Sequence, residues 1–327
     1  MTHLESTSTA TDSTIAKHSG ATSVFVNGYL PRRRGLVLLL GVLGGFLLTV
    51  VWSAPFVDST IGDTVADGLL GHDAEETAIT GLGAGVVFAF VSGLAGTFTA
   101  CNIAVFGAVA PLAGSADSRW NRVRAVLRPL LWMAAGMVAV SAAYGVVVGI
   151  VGTDMPQFDT APGQPGQIPA RLVQSMVVFG MIGLIMIYLG LAVLGLVRDP
   201  FARVAARFPN APLICFGGLI GTFLIGRPFP LFRKLFRDAA EEGNVVYSAA
   251  AFVLQSIGNI AVLAVLLILT VLAGGRLQRW FHADPRRVSI LSAAALLTVG
   301  VFTFLYWDVR LLAMRDIIPW YPVAPWV

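Results

Sequence analysis

Charge is scarce in this chain. Asp, Glu, Lys and Arg together supply 12% of its 327 residues, against 56% hydrophobic residues. A soluble domain carries about twice that charged fraction, so a soluble globular protein is excluded. Cysteine is scarcer still: only Cys101 and Cys215 occur, each inside an apolar run. Two such residues build neither an exported disulfide scaffold nor a zinc-type CxxC site. The four histidines, His3, His18, His72 and His282, stand in the tail or in loops. A metal transporter sets His or carboxylates within its spans, so no metal site and no cofactor are expected. The formal charge of +4 comes from arginines flanking apolar runs, which membrane topology explains. No nucleic-acid motif accompanies them, and nucleic acid is set aside as a partner.

What is present is a series of apolar runs of about 20 residues, the length that crosses a bilayer. The fold class is therefore an all-α polytopic membrane protein, with lipid as its surroundings. Residues 1–34 are polar and rich in Ser and Thr, and disorder is expected there. Arg32, Arg33 and Arg34 precede a leading span at 35–53 and set the N-terminus in the cytoplasm of a bacterial cell membrane. The segment 54–78 holds six acidic residues and no Lys or Arg, which fits an outer loop. The arginines then alternate sides with each further run: 79 onward, 129–151, 172–197, 211–226, 245–273 and 288–307. The segment 231–244 is assigned to the outside. The tail, 308–327, carries Trp320, Tyr321 and Trp326 and suits the outer interface. Seven transmembrane helices result. They form one leading helix plus two three-helix units, 79–197 and 211–307, the second inverted because each unit is odd in number. Inverted repeats of this kind bring broken helices together near the midplane.

The stretch from Gly93 to Pro111 organises this reading. Gly93, Gly96, Thr97, Thr99, Cys101 and Asn102 crowd the middle of a run too long for one straight span. Irregular backbone at that depth must be buried in protein or face a water-filled cavity, so a broken helix is expected. The hexapeptide from Gly93 recurs from Gly218 with one difference, and the copy also runs into a break, Gly226-Arg227-Pro228-Phe229-Pro230. The two copies, with Gly96 and Gly221, are expected to flank one cavity as hinges.

These residues resemble the transmembrane domain of the CcdA/DsbD family of thiol–disulfide electron carriers, over about Ile79 to Trp307. Thr99-Ala100-Cys101-Asn102 stands where that family has Ser-Pro-Cys, and the proline is replaced by Ala100. The second family motif corresponds to Gly226–Pro230, and no cysteine falls there. The resemblance implies a carrier passing reducing equivalents from cytoplasmic thioredoxin to an extracytoplasmic thiol protein, as in cytochrome c assembly. A transporter of a small solute or ion on the same fold, or a non-catalytic assembly subunit, are the other readings.

The candidate residues follow. Cys101 is the catalytic candidate, since a thiolate at a helix N-terminus has a lowered pKa; its bland alternative is a small apolar filler. Cys215 reads as packing. Thr99, Asn102 and Arg227 are cavity or substrate candidates, with snorkelling to the interface as the alternative for Arg227. Gln255 and Asn259 share one face of the sixth span, either lining a cavity or bonding helix to helix. Gly93, Gly96, Gly221, Gly226, Pro228 and Pro230 are the hinge positions.

Overall fold

A computed structural model describes residues 23, 25–26, 28–53, 56–74, 76–96, 119–158, 166–226, 230–273 and 284–326. Among these residues all regular structure is helical. In chain order the helices are α1 (Arg34–Val51), α2 (Thr64–Leu70), α3 (Gly81–Ala95), α4 (Arg119–Val151), α5 (Ala170–Val193) and α6 (Ala202–Arg207). They continue with α7 (Ala211–Gly221), α8 (Phe223–Gly226), α9 (Pro230–Glu241), α10 (Val245–Ala273), α11 (Pro285–Phe304) and α12 (Leu311–Met314). A π-helical segment, Phe56–Asp63, leads into α2, and another, Leu305–Arg310, joins α11 to α12.

The molecule is a multi-pass membrane protein. Five described helical runs are long and apolar enough to cross a bilayer: α1, α4, α5, α10 and the run from α11 to α12. A sixth crossing results if α7–α8 and α9 count as one span, bent by 83°. α3 is apolar but has only 15 residues, and the segment after Gly96 lies outside the described residues.

The expected starts at 211 and 245 recur as the starts of α7 and α10. Elsewhere helix replaces expected loop. α4 begins at Arg119 and runs through Pro129, because a membrane helix tolerates proline where neighbours re-satisfy the freed carbonyl. The span expected to stop at Trp307 continues through Asp308 and Arg310 to Met314. The acidic segment holds α2, which ends at Gly71 with φ +76 and its N–H on the Asp67 carbonyl. Segment 231–244 holds α9, where Leu231, Phe232, Leu235, Phe236, Ala239 and Ala240 form one buried stripe. That stripe has the spacing of an amphipathic helix.

Glycines set how these helices pair. Gly41 lies against Ala294 and Leu297, and Gly45 against Thr298 and Val301, so α1 and α11 run parallel. Gly145 against Ala249 and Gly149 against Val245 make α4 and α10 antiparallel. α5 and α11 are antiparallel too, with Gly190 on Leu297 and Gly183 on Gly300. α3 packs on α10, and α7 packs on α4.

The end of α1 illustrates the bookkeeping a membrane helix requires, because its last carbonyls have no partner within the helix. Arg310, 6% exposed, donates through one nitrogen to the carbonyls of Thr49 (2.9 Å) and Trp52 (3.1 Å). The Ala324 N–H takes Val50 O at 2.9 Å, and Trp326 Nε1 takes Val51 O at 3.4 Å. Residues 315–326 thus fold back on α1 rather than trailing away. Upstream, Phe25 is buried and lies 5.0 Å from the Phe216 ring, and Ser289 donates to Tyr29 O. This part of the polar N-terminal segment is packed against the bundle.

Candidate functional site

Two helix crossings share one geometry. A Cβ built on Gly93 of α3 would lie 2.0 Å from the carbonyl oxygen of Gln255 in α10. A Cβ on Gly217 of α7 would lie 1.9 Å from the carbonyl oxygen of Met133 in α4. The partner glycines repeat the pattern. On Gly258 the added carbon would meet Phe90 O at 2.2 Å and Leu94 N at 3.1 Å; on Gly136, Ile214 O at 1.9 Å and Gly218 N at 2.9 Å. No side chain fits at any of the four, and the backbones touch directly, as small residues allow in membranes. Gly217 therefore occupies the place of Gly93, and Gly218 the place of Leu94. The shared hexapeptide is one residue out of step with the packing.

The expected residues separate accordingly. Gly93, Gln255 and Asn259 come together at the α3–α10 crossing, where Gln255 is 2% exposed and its Oε1 finds no partner among the described residues. Gly221 belongs to the other crossing, against Met137 and Val140 of α4. Gly96 closes α3, its N–H on Ser92 O at 2.9 Å. Gly226 ends α8, packed on Phe179, and Pro230 opens α9. Thr99, Cys101, Asn102, Arg227 and Pro228 lie outside the described residues. Cys215 is exposed on α7, on the face turned from the buried Phe216 and Gly217.

The end of α8 is held from α5. Gln174 Nε2 donates to Ile225 O at 2.7 Å and Ser175 Oγ donates to Gly226 O at 2.5 Å. These two bonds satisfy carbonyls that a broken helix leaves open. Gln174 Nε2 also reaches Tyr144 Oη at 3.3 Å and Gln157 Oε1 at 3.4 Å, while the Tyr144 hydroxyl donates to Gln157 Oε1.

Gln157 brings this chain of amides to a cavity of about 480 Å³, lined by Glu76, Ala78, Gln157, Phe158, Arg233, Lys234 and Arg237. A second, small pocket of about 20 Å³ shares Gln157, Phe158 and Arg233 with it and is lined as well by Arg171, Ser175, Ile225, Gly226 and Phe236. α9 supplies three of the cations because its apolar stripe faces the bundle, which turns Arg233, Lys234 and Arg237 the other way. Lys234 anchors the helix by donating to the carbonyls of Ala74 (2.7 Å) and Thr77. Ser248 Oγ bonds Ala239 O at 2.8 Å and the Tyr247 hydroxyl donates to Asp238 at 2.6 Å. Arg237 Nε stands 4.0 Å from Glu241. Burial lowers the pKa of the Arg233 guanidinium from its usual value, and the positive charges of Arg171 and Arg237 lower it further.

The sequence reading did not single out Arg171, Arg233, Arg237, Gln157, Gln174 or Ser175. The spacing of Arg233 and Arg237 on an amphipathic stripe was the available signal for α9. Nothing local marks the other four, which meet only in space. Among the described residues no group of His, Cys, Asp and Glu is arranged to hold a metal. No family model, no curated protein and no solved structure matches the chain.

Proposed function

We propose that this protein is a membrane carrier of a small solute or ion, built as two inverted three-helix halves behind a leading helix. The observation that carries the reading is the matched pair of glycine crossings. Exchanging α3 with α7, α4 with α10 and α5 with α11 leaves the principal helix pairs among these six unchanged. It also sends the Gly93–Gly258 crossing onto the Gly217–Gly136 crossing. Carriers with inverted halves work by rocking or gating of one half against the other around a site between them. In this reading the N-terminus is cytoplasmic, the C-terminus is extracytoplasmic, and the cavity beside α9 opens to the outside of a bacterial cell. Reporter fusions after Arg124, Gly163, Arg203 and Val327 are expected to read in, out, in, out. A cytoplasmic reading at Val327 removes the inverted halves. Uptake into liposomes carrying the purified protein tests transport itself.

A second reading keeps the thiol–disulfide carrier of the CcdA/DsbD type, with thioredoxin and an extracytoplasmic thiol protein as partners. It is favoured by the end of α3 at Gly96, five positions before Cys101, where that family breaks its first helix. In it the Cys101 thiolate attacks a partner's disulfide; that S–S bond breaks, a mixed disulfide forms and one partner thiolate leaves. A thiol of reduced thioredoxin then attacks the Cys101 sulfur of that mixed disulfide and releases the partner's second thiolate, and thioredoxin's other thiol displaces Cys101, leaving the partner reduced and thioredoxin as the disulfide. Trapping of thioredoxin on Cys101 in membranes supports this reading. An untrapped Cys101 together with solute uptake dismisses it.

A further inference from the structure

We propose that the cavity beside α9 binds a small anion bearing a carboxylate or phosphate group, held by Arg233 and Arg237 with Arg171 in the small pocket beside it. This deepens the carrier reading by naming its cargo class, and rests on that reading only where transport is concerned. Among the described residues, Arg233, Lys234 and Arg237 line the cavity with one carboxylate, that of Glu76, and Arg171 lines the small pocket beside it. Asp238 accepts from Tyr247, and Glu241 stands 4.0 Å from Arg237 as an exposed ion pair that an anion in the cavity would compete with.

Burial first, and then the positive charges of Arg171 and Arg237, lower the pKa of the Arg233 guanidinium. An anion seated among them reverses the sign of that interaction. Guanidinium groups present paired N–H donors that match carboxylate and phosphate oxygens. The volume of about 480 Å³ lies within the range of small-ligand pockets. The wall also offers an amide donor, since Gln157 Nε2 is buried and has no acceptor among the described residues. Phe158 gives one apolar wall. The site adjoins the break after α8 through Gln157, Gln174 and Ile225, so a bound anion would touch the moving part of an inverted-repeat carrier.

The chemistry fits a free anion or the headgroup of an acidic lipid, and the test separates the two. The full-length protein is placed in nanodiscs of phosphatidylcholine, and binding of inorganic phosphate, succinate and the neutral succinamide is measured by calorimetry. Saturable binding of phosphate or succinate, with none of succinamide, is the expected result. Arg233→Gln and Arg237→Gln are each expected to weaken it at least about tenfold, as loss of a hydrogen bond to a charged group does. Both side chains are exposed on the polar face of α9, so the variants should keep the wild-type thermal midpoint, which is measured alongside. Repeating the titration in discs containing phosphatidylglycerol identifies the source: competition marks a headgroup site, and unchanged affinity marks a free solute. Absence of anion binding in both discs overturns the proposal, as does equal binding by both variants. Binding without liposome uptake leaves the anion site standing and removes the carrier reading; uptake of a neutral solute without anion binding does the reverse.

Discussion

The α3–α10 and α4–α7 crossings look alike and continue differently. Each joins two helices at a pair of glycines whose added Cβ would sit about 2 Å from a carbonyl oxygen. Beyond the crossing, α7 passes into α8, whose last carbonyls are taken by Gln174 and Ser175 of α5. α3 stops at Ala95. What the two regions share is the distance between backbones, and the letters around it drift by one position. Both hexapeptides supply the small residues that such crossings need, and the packing carries the likeness one position out of step with the letters. The comparison also separates two tasks: one break is pinned by hydrogen bonds beside a cationic cavity, and the other precedes the cysteine.

The largest test of the likeness is steric. Gly93→Val and Gly217→Val should each cost about 3 kcal/mol or more, because backbone oxygen cannot move aside as a side chain does. Reversible unfolding in mixed micelles measures both, and a large cost at one with tolerance at the other breaks the equivalence. Gly68→Ala in α2, with open space around it, should be neutral or stabilising by up to about 1 kcal/mol. Next in size is Arg310→Met. It strips the carbonyls of Thr49 and Trp52 of their donor at once, for a cost of about 2 kcal/mol. A neutral result there would mean that helix ends in this protein need no side-chain partner, and the bonds from Gln174 and Ser175 to the end of α8 would lose their meaning. Ser175→Ala should then cost about 1 kcal/mol, with faster proteolysis between α8 and α9 as its local signature.

Much of this architecture is legible in the sequence where apolar length decides it. The starts of α7 and α10 coincide with those of uncharged runs, since hydrocarbon admits no charge cheaply and the chain changes composition at each entry. Legibility fails where a helix leaves that medium. Arg119 to Arg128 looks like loop because it is basic, yet it is the projecting end of α4. α2 and α9 are charged on one face and short, so a window tuned to membrane spans passes over them. Arg310 reads as part of a surface tail until Thr49 and Trp52 come within its reach. The cavity was the least legible of all. Arg171 lies in the first turn of α5, Gln157 sits in a Pro/Gly-rich connection and Arg233 lies on α9, so only folding makes them neighbours.

The smallest and most informative prediction compares two glutamines, Gln174 at the end of α8 and Gln255 at the α3–α10 crossing. Gln174 makes three described hydrogen bonds, to Ile225 O, Tyr144 and Gln157. Gln255 is buried with an unpartnered Oε1. Inter-helix polar contacts in membranes average about 0.6 kcal/mol, so Gln174→Leu should cost roughly that amount. Gln255→Leu should fall within about 0.5 kcal/mol of wild type, since a leucine of similar size leaves no polar atom stranded. The two should differ more in binding than in stability. Losing Gln174 frees Gln157 from its place in the cavity wall and should weaken anion affinity several-fold, whereas Gln255→Leu should leave it unchanged. The reverse pattern, a silent Gln174 and a costly Gln255, would mean that Gln255 holds a polar partner in the segment carrying Thr99, Cys101 and Asn102. The working site would then belong at the α3–α10 crossing, and thiol chemistry would regain the lead over anion transport.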